Sequence, residues 1–190
     1  MNENMNSPAT WLKYLLYVGI AAMVNSMLGL FLPGKLSTWI GFAISAATVY
    51  LLFRLISANA RYKTAALCAG ASLVIGILNI AVLSLAASIC AIVAQYQEYQ
   101  AHGELVRERD PKLADKWSSL FWLQFGVEVI MILLTGLFVG VLVAASGMDA
   151  AVVTGLVTVI AAVFSVILKL LYLSYLNRTV KLLETEFVVE

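Results

Sequence analysis

The sequence is poor in the residues that form metal and disulfide sites. Its 190 residues include one histidine, His102, and two cysteines, Cys68 and Cys90. A zinc site needs three or four ligands, so we expect no metal centre within one chain. The cysteines stand 22 residues apart in one apolar stretch. That spacing is about 33 Å along a continuous helix, so no disulfide between them is expected.

Charged residues are also scarce. They make up 12% of the chain, hydrophobic residues make up 62%, and the mean hydropathy is +0.94. A typical soluble domain carries roughly 25% charged residues. The net charge of +1 argues against the concentrated basic surface that nucleic-acid binding requires. We therefore expect a lipid bilayer, and no nucleic acid, as the partner of this chain.

Sequence motifs for catalysis are missing as well. The chain has no glycine-rich phosphate loop and no nucleophile elbow, which are among the more specific short signatures of enzymes. An enzyme that acts on lipid normally places several polar groups at one depth in the membrane. In this sequence only Glu128 qualifies as such a group. We therefore expect no enzymatic activity and no cofactor.

Long apolar stretches fill most of the chain. A transmembrane helix needs about 20 such residues. We predict an all-α, polytopic transmembrane bundle forming a single domain over residues 1–190. It has about five spans, and helices three to five extend beyond the membrane on one side. The predicted spans cover residues 11–32, 37–57, 64–94, 118–145 and 150–177.

The main polar interval, residues 95–117, separates the third and fourth predicted spans. Gly103 is typical of a residue that ends a helix. Asp110 and Pro111 are typical of a helix start, as N-cap and first helical residue. The interval is therefore predicted to be a helical hairpin in which only residues 103–109 form a loop. Its charges of both signs predict local ion pairs.

Aromatic residues recur on one face of the extended helices. Tyr172 and Tyr175 follow the alternating spacing of three and four residues that keeps one face against a partner helix. Tyr96, Tyr99 and Trp117 are expected to face them in a three-helix stalk, while His102 is expected to be solvated or to cap a helix. The surface predicted for a protein partner consists of Tyr96, Tyr99, His102, Arg107, Arg109, Trp117, Tyr172 and Tyr175.

Four polar residues lie deep in the apolar segments. Glu128 is 20 residues before the turn near Met148 and Lys169 is 21 after it, so an antiparallel hairpin brings both to one depth. Either they pair or share a polar pocket, or Lys169 reaches the membrane surface and Glu128 is neutral. Asn25 and Asn79 either line a transport pathway with them or form hydrogen bonds between helices.

The basic residues predict an orientation. With five spans, eight of them fall on one side and four on the other. The positive-inside rule then favours an N-terminus outside and a C-terminus inside the bacterial cytoplasmic membrane. The inverted topology and a protein with four spans are the alternatives. The eight are Lys35, Arg107, Arg109, Lys112, Lys116, Lys169, Arg178 and Lys181, and the four are Lys13, Arg54, Arg61 and Lys63.

Two functions are compatible with these patterns. The first is an accessory, assembly or regulatory membrane subunit that binds a protein partner at the hairpin. The extended helices and the lack of catalytic motifs favour it. The second is a small transporter or channel, assembled from several copies, that uses Glu128 as an ionisable group within the membrane. The intramembrane carboxylate favours this one.

Overall fold

The computed structural model describes residues 7–29, 33–78, 81–133, 141 and 150–185. Within these residues the chain forms α-helices, short turns and no strand, which confirms the prediction of an all-α fold. A short 3-10 turn, Ala81–Leu83, precedes the fourth helix. The six α-helices are α1 (Pro8–Leu28), α2 (Gly34–Arg54), α3 (Arg61–Leu78), α4 (Ser84–Val106), α5 (Pro111–Leu133) and α6 (Ala150–Glu184).

Successive helices run in opposite directions. Contacts between side chains gather the starts of α1, α3 and α5 and the ends of α2, α4 and α6 at one end of the bundle, here called the polar end. The contacts that define it are Arg54 over the Trp11 ring, Lys13 with Glu184, Tyr62 with His102, and Asp110 with Arg178. The molecule is therefore a bundle of antiparallel helices, as short connections favour.

Five helices of the described chain are long and apolar enough to cross a membrane. They are α1, α2, α3, α5 and the Val152–Glu184 part of α6, so the predicted number of spans is confirmed. Away from the polar end, large apolar side chains point outward; Val82 is 89% exposed and Ile132 is 72% exposed. An apolar exterior of this kind is stable in lipid and unfavourable in water.

The prediction of one continuous helix over residues 64–94 is wrong. The chain turns back between α3 and α4, so that Tyr62 and His102 meet with 2.7 Å between the Tyr62 hydroxyl and His102 Nδ1. In a continuous helix these residues would be about 60 Å apart. Small residues of α3 such as Ala65 and Ala66 are fully buried, which allows close packing between helices.

The hairpin of α3 and α4 also bears on the predicted orientation. It adds one reversal of the chain, so α1 starts at the same end of the bundle at which α6 finishes. Lys13 Nζ and Glu184 Oε1 lie 3.2 Å apart. The structure therefore gives no support to the prediction that the two ends of the chain lie on opposite sides of the membrane.

The turn between α4 and α5 matches the prediction at one side only. Pro111 is the first residue of α5 and the Leu113 amide donates to Asp110 Oδ1 at 3.0 Å, so the predicted helix start is confirmed. Gly103 does not end a helix, because α4 continues to Val106. Gly103 instead permits a close approach of α5: a Cβ there would lie 3.2 Å from the Ala114 carbonyl oxygen.

Two acidic residues of the 95–117 interval, Glu104 and Asp110, pair with basic residues of distant helices. Arg61 Nε donates to Glu104 at 2.7 Å, and Asn59 donates to the same carboxylate at 2.9 Å. Asp110 pairs with Arg178 of α6. These bonds tie α3 to α4 and the start of α5 to α6.

Glu104 gives the fold a dependence on acid. Partial burial raises its pKa, but hydrogen bonds from Asn59 and Arg61 and the Arg61 charge outweigh burial, so the pKa is lowered overall. This stabilisation is present above the unfolded-state pKa of about 4.3 and is lost as pH falls through the lower folded-state value. We expect the melting temperature in detergent to fall over that window. Glu104→Gln should flatten this part of the curve, and an unchanged curve would contradict the assignment.

Candidate functional site

A cavity of about 790 Å³ lies at the centre of the bundle, and residues of all six α-helices line it. Pockets of about 300–1,000 Å³ with apolar walls and a few polar groups are typical of small-molecule sites. Gly19, Ala22 and Gly76 are small residues in its wall. Its polar lining includes Gln95, Glu98, Tyr99, Gln124, Glu128, Lys169 and Tyr172.

Glu128 and Lys169 line the same cavity but do not bond to each other in the described structure. Glu128 Oε1 accepts a hydrogen bond from Gln124 at 3.2 Å. Lys169 Nζ donates to the Ser26 hydroxyl of α1 at 2.6 Å. Of the alternatives drawn from the sequence, the geometry matches a shared polar pocket. The two side chains are therefore not paired with each other, and both can contact a third molecule in the cavity.

The two predicted asparagines do not join them. Asn25 Nδ2 donates to the Ser37 carbonyl oxygen at 3.3 Å, which links α1 to α2, and Asn25 does not line the cavity. The structure thus assigns Asn25 to the adhesive alternative, in which amides bond between helices. Asn79 lies outside the described residues.

A hydrogen-bonded arm connects α4 to Glu128. The Tyr99 hydroxyl donates to Gln124 Oε1 at 2.9 Å, and Gln124 in turn donates to Glu128. Burial raises the pKa of the Tyr99 hydroxyl far above its ordinary value, so this hydroxyl keeps its proton at any physiological pH. The arm holds the Glu128 carboxylate at the cavity wall.

A second chain of hydrogen bonds runs through His102. The Tyr62 hydroxyl lies 2.7 Å from His102 Nδ1, and His102 Nε2 lies 3.4 Å from Glu98 Oε1. The Tyr172 hydroxyl donates to the same Glu98 oxygen at 2.6 Å. His102 is 0% exposed, so the expectation of a solvated or capping histidine is wrong. The imidazole is buried because the α3 and α4 hairpin covers it with Tyr62.

Aromatic rings surround this chain at the polar end. Tyr99 stacks on Tyr172 with 5.5 Å between ring centroids, and Trp117 contacts Tyr172 at 5.6 Å and Tyr175 at 5.9 Å. The prediction that these residues face one another is confirmed. Tyr96 joins the cluster through Phe121 at 5.0 Å.

The predicted partner surface is only partly at the surface. Tyr99, His102 and Trp117 are buried in the core of the chain itself, so they cannot contact a partner, and this part of the prediction is wrong. These side chains are buried because they pack between helices, as the spacing of three and four residues already indicated. Arg107 and Arg109 are exposed in the turn after α4.

The sequence contained a signal for the residues that were missed. Gln95, Glu98 and His102 are spaced by three and four residues, which places them on one face of α4. Gln124 and Glu128 have the same relation on α5. A polar face on each of two neighbouring helices indicates a polar space between them, but it does not identify Tyr62 as the partner of His102.

Comparisons with known proteins add no assignment. The chain matches no protein-family model, and comparisons with curated proteins and with solved structures found no match. In the part of the chain that the structure describes, no group of three or more histidine, cysteine, aspartate or glutamate residues is placed to hold a metal ion. The cavity is therefore the feature of the molecule that bears on its function.

Proposed function

We propose that this chain is a small membrane transporter that carries a polar solute through the central cavity. The observation that carries the proposal is the cavity itself: it has a volume of about 790 Å³, and residues of all six described α-helices line it, among them Glu128 and Lys169. Charged side chains within a membrane mark substrate or ion pathways more often than structural sites, because burying them without a function is costly.

The chemistry of the lining defines what the solute contacts. Glu128 binds an ammonium or hydroxyl group of the solute, and Lys169 binds an anionic or carbonyl group. The amides of Gln95 and Gln124 supply further donors and acceptors. The apolar wall accommodates the rest of the solute. Small polar molecules with groups of both signs fit this lining best.

The alternative, an accessory subunit that binds a protein partner, keeps one supporting observation. Arg107, Glu108 and Arg109 form an exposed charged turn at the polar end. Tyr99, His102 and Trp117, which were predicted to form part of that surface, are buried inside the bundle, so the cavity gives the transporter the stronger support. Residence in the bacterial cytoplasmic membrane and assembly into an oligomer remain part of the proposal.

The test is electrogenic solute binding and transport in proteoliposomes on a solid-supported membrane. The full chain is challenged with a panel of small zwitterionic, cationic and anionic solutes. We expect a transient current with at least one solute, reduced about tenfold or more in Glu128→Gln, because a contact to a charged group contributes about 1.5–3 kcal/mol.

Glu108→Gln, in the exposed turn, is the matched control and should keep the current of the wild type. Absence of both a current and solute uptake with every solute in the wild type would contradict the transporter. Equal currents in Glu128→Gln and the wild type would remove Glu128 from the pathway.

A further inference from the structure

Glu98 differs from the other charged residues of the cavity because it belongs to two environments. It lines the cavity, yet its side chain is only 13% exposed. Its described hydrogen-bond partners are the Tyr172 hydroxyl at 2.6 Å and His102 Nε2 at 3.4 Å. A carboxylate that lines the cavity is thus within hydrogen-bond distance of the one histidine of the sequence.

The donors and acceptors in the hydrogen bonds that join Tyr62, His102, Glu98 and Tyr172 can be assigned. An ionised Glu98 only accepts hydrogen bonds, so Tyr172 and His102 Nε2 both carry a hydrogen toward it. His102 Nδ1 is then an acceptor and takes the hydrogen of the Tyr62 hydroxyl. With His102 neutral, each of these three hydrogen bonds has one donor and one acceptor.

The same arrangement can take up one more proton without movement of its heavy atoms. A proton from water binds His102 Nδ1, and the Tyr62 hydroxyl turns from donor to acceptor. The imidazolium then lies between the Tyr62 oxygen and the Glu98 carboxylate, and this ion pair offsets part of the cost of burying the new charge. Release returns the proton to water and reverses the rotation of the hydroxyl.

We infer that Glu98 and His102 together bind one exchangeable proton and that this pair couples the central cavity to pH. The coupling rests on the proposed transport function, because Glu98 is the member of the pair that a solute meets. A cationic group of the solute near Glu98 would repel the imidazolium, so solute binding and proton release become reciprocal.

The pair of Glu98 and His102 is surrounded mainly by uncharged side chains, and the charged and titratable groups near it can be named for each helix. The residues of α1 and α2 that line the cavity are uncharged. On α4 the other ionisable groups beside the pair are Tyr99, whose pKa is raised by burial, and Glu104, which is paired with Arg61 of α3. The groups that face the pair from the other helices are Tyr62 on α3, Trp117 and Glu128 on α5, and Tyr172 and Lys169 on α6.

The single histidine makes this site directly observable. The full chain is labelled with ¹⁵N-histidine, purified without a histidine tag, placed in lipid nanodiscs and titrated by NMR. At high pH we expect hydrogen on Nε2 and an accepting Nδ1, and at low pH hydrogen on both nitrogens. Both nitrogens report on His102 alone because no other histidine is present.

Two variants with opposite expected shifts test the pair. Glu98→Gln removes the neighbouring negative charge and should lower the titration midpoint by about one pH unit or more. Tyr172→Phe keeps the ring, removes a donor to the carboxylate and makes the pair more basic, so it should raise the midpoint. Glu128→Gln, which is not bonded to His102, is the control and should shift the midpoint less than Glu98→Gln.

An unchanged midpoint in Glu98→Gln, or shifts of the same sign in Glu98→Gln and Tyr172→Phe, would overturn the inference. The NMR readout is independent of transport. If the expected shifts occur and no solute produces a current, the proton site stands and the transporter is refuted. If solutes produce a current and the midpoints do not shift, the transporter stands and the proton site is refuted.

Discussion

Replacing Trp117 with alanine is expected to lower the free energy of unfolding by about 3–5 kcal/mol, the range for removing a large buried aromatic side chain. Trp117 is 0% exposed and its Nε1 donates to the Thr179 hydroxyl of α6 at 3.1 Å. Its ring also contacts Tyr99, 5.4 Å between centroids, and His102, 4.6 Å. Alanine leaves a cavity and an unpaired buried hydroxyl. The measurement is reversible unfolding in mixed micelles.

Trp122→Ala provides the matched control on the same helix. Trp122 is 59% exposed on the apolar exterior, so its removal leaves no cavity inside the bundle. We expect a much smaller loss of stability than for Trp117→Ala. Comparable losses at the two positions would show that α5 does not present the face described for it.

Replacing Gly103 with valine is expected to destabilise the bundle by about 1–3 kcal/mol through overpacking. Its Cβ would lie 3.2 Å from the Ala114 carbonyl oxygen and 3.5 Å from Trp117 Cβ. The nearest obstacle is backbone, which cannot rotate away, so α4 and α5 must separate. The same micelle unfolding assay measures the loss.

Gly126→Val on α5 controls for the effect of valine on a helix. Nothing lies within 4 Å of a Cβ at Gly126, so this substitution should leave stability nearly unchanged. A larger loss at Gly126 than at Gly103 would mean that conformational preference, and not the close approach of α4 and α5, decides the result.

Some of the fold could be predicted because local chemistry determines it. Asp110 and Pro111 start α5 because one supplies the cap and the other has the required backbone angle. The spacing of Tyr172 and Tyr175 predicted the inward face of α6. The lengths of the apolar stretches predicted the number of helices able to span a membrane.

The hairpin of α3 and α4 could not be predicted from the same kind of signal. Residues 77–102 contain neither proline nor glycine, and in lipid both the outer face and the packed face of a helix are apolar. Hydropathy therefore does not distinguish one long helix from two antiparallel ones. The contacts that hold the hairpin at the polar end, Tyr62 with His102 and Arg61 with Glu104, join residues forty or more positions apart.

The candidate site was predictable to a similar degree. Glu128 and Lys169 were placed at one depth by counting from a turn, and both line the cavity. Glu98 and His102 are four residues apart and so share one helical face, but burial of the imidazole depends on α3 folding back. The error at His102 and the error in helix three thus have one cause.

The two native cysteines test that fold most directly. Arg61 of α3 contacts Gln97 of α4 at 3.1 Å. Cys68 and Cys90 each lie seven residues from that contact in the two antiparallel helices, so the hairpin places them at about the same level, whereas a continuous helix separates them by about 33 Å. Nitroxide labels on both thiols, measured by double electron–electron resonance in nanodiscs, should give a distance below about 20 Å, because axes of packed helices lie about 10 Å apart. A single-label Cys90→Ser sample controls for contacts between molecules. A distance near 33 Å would contradict the hairpin, and with it the cavity and the buried histidine.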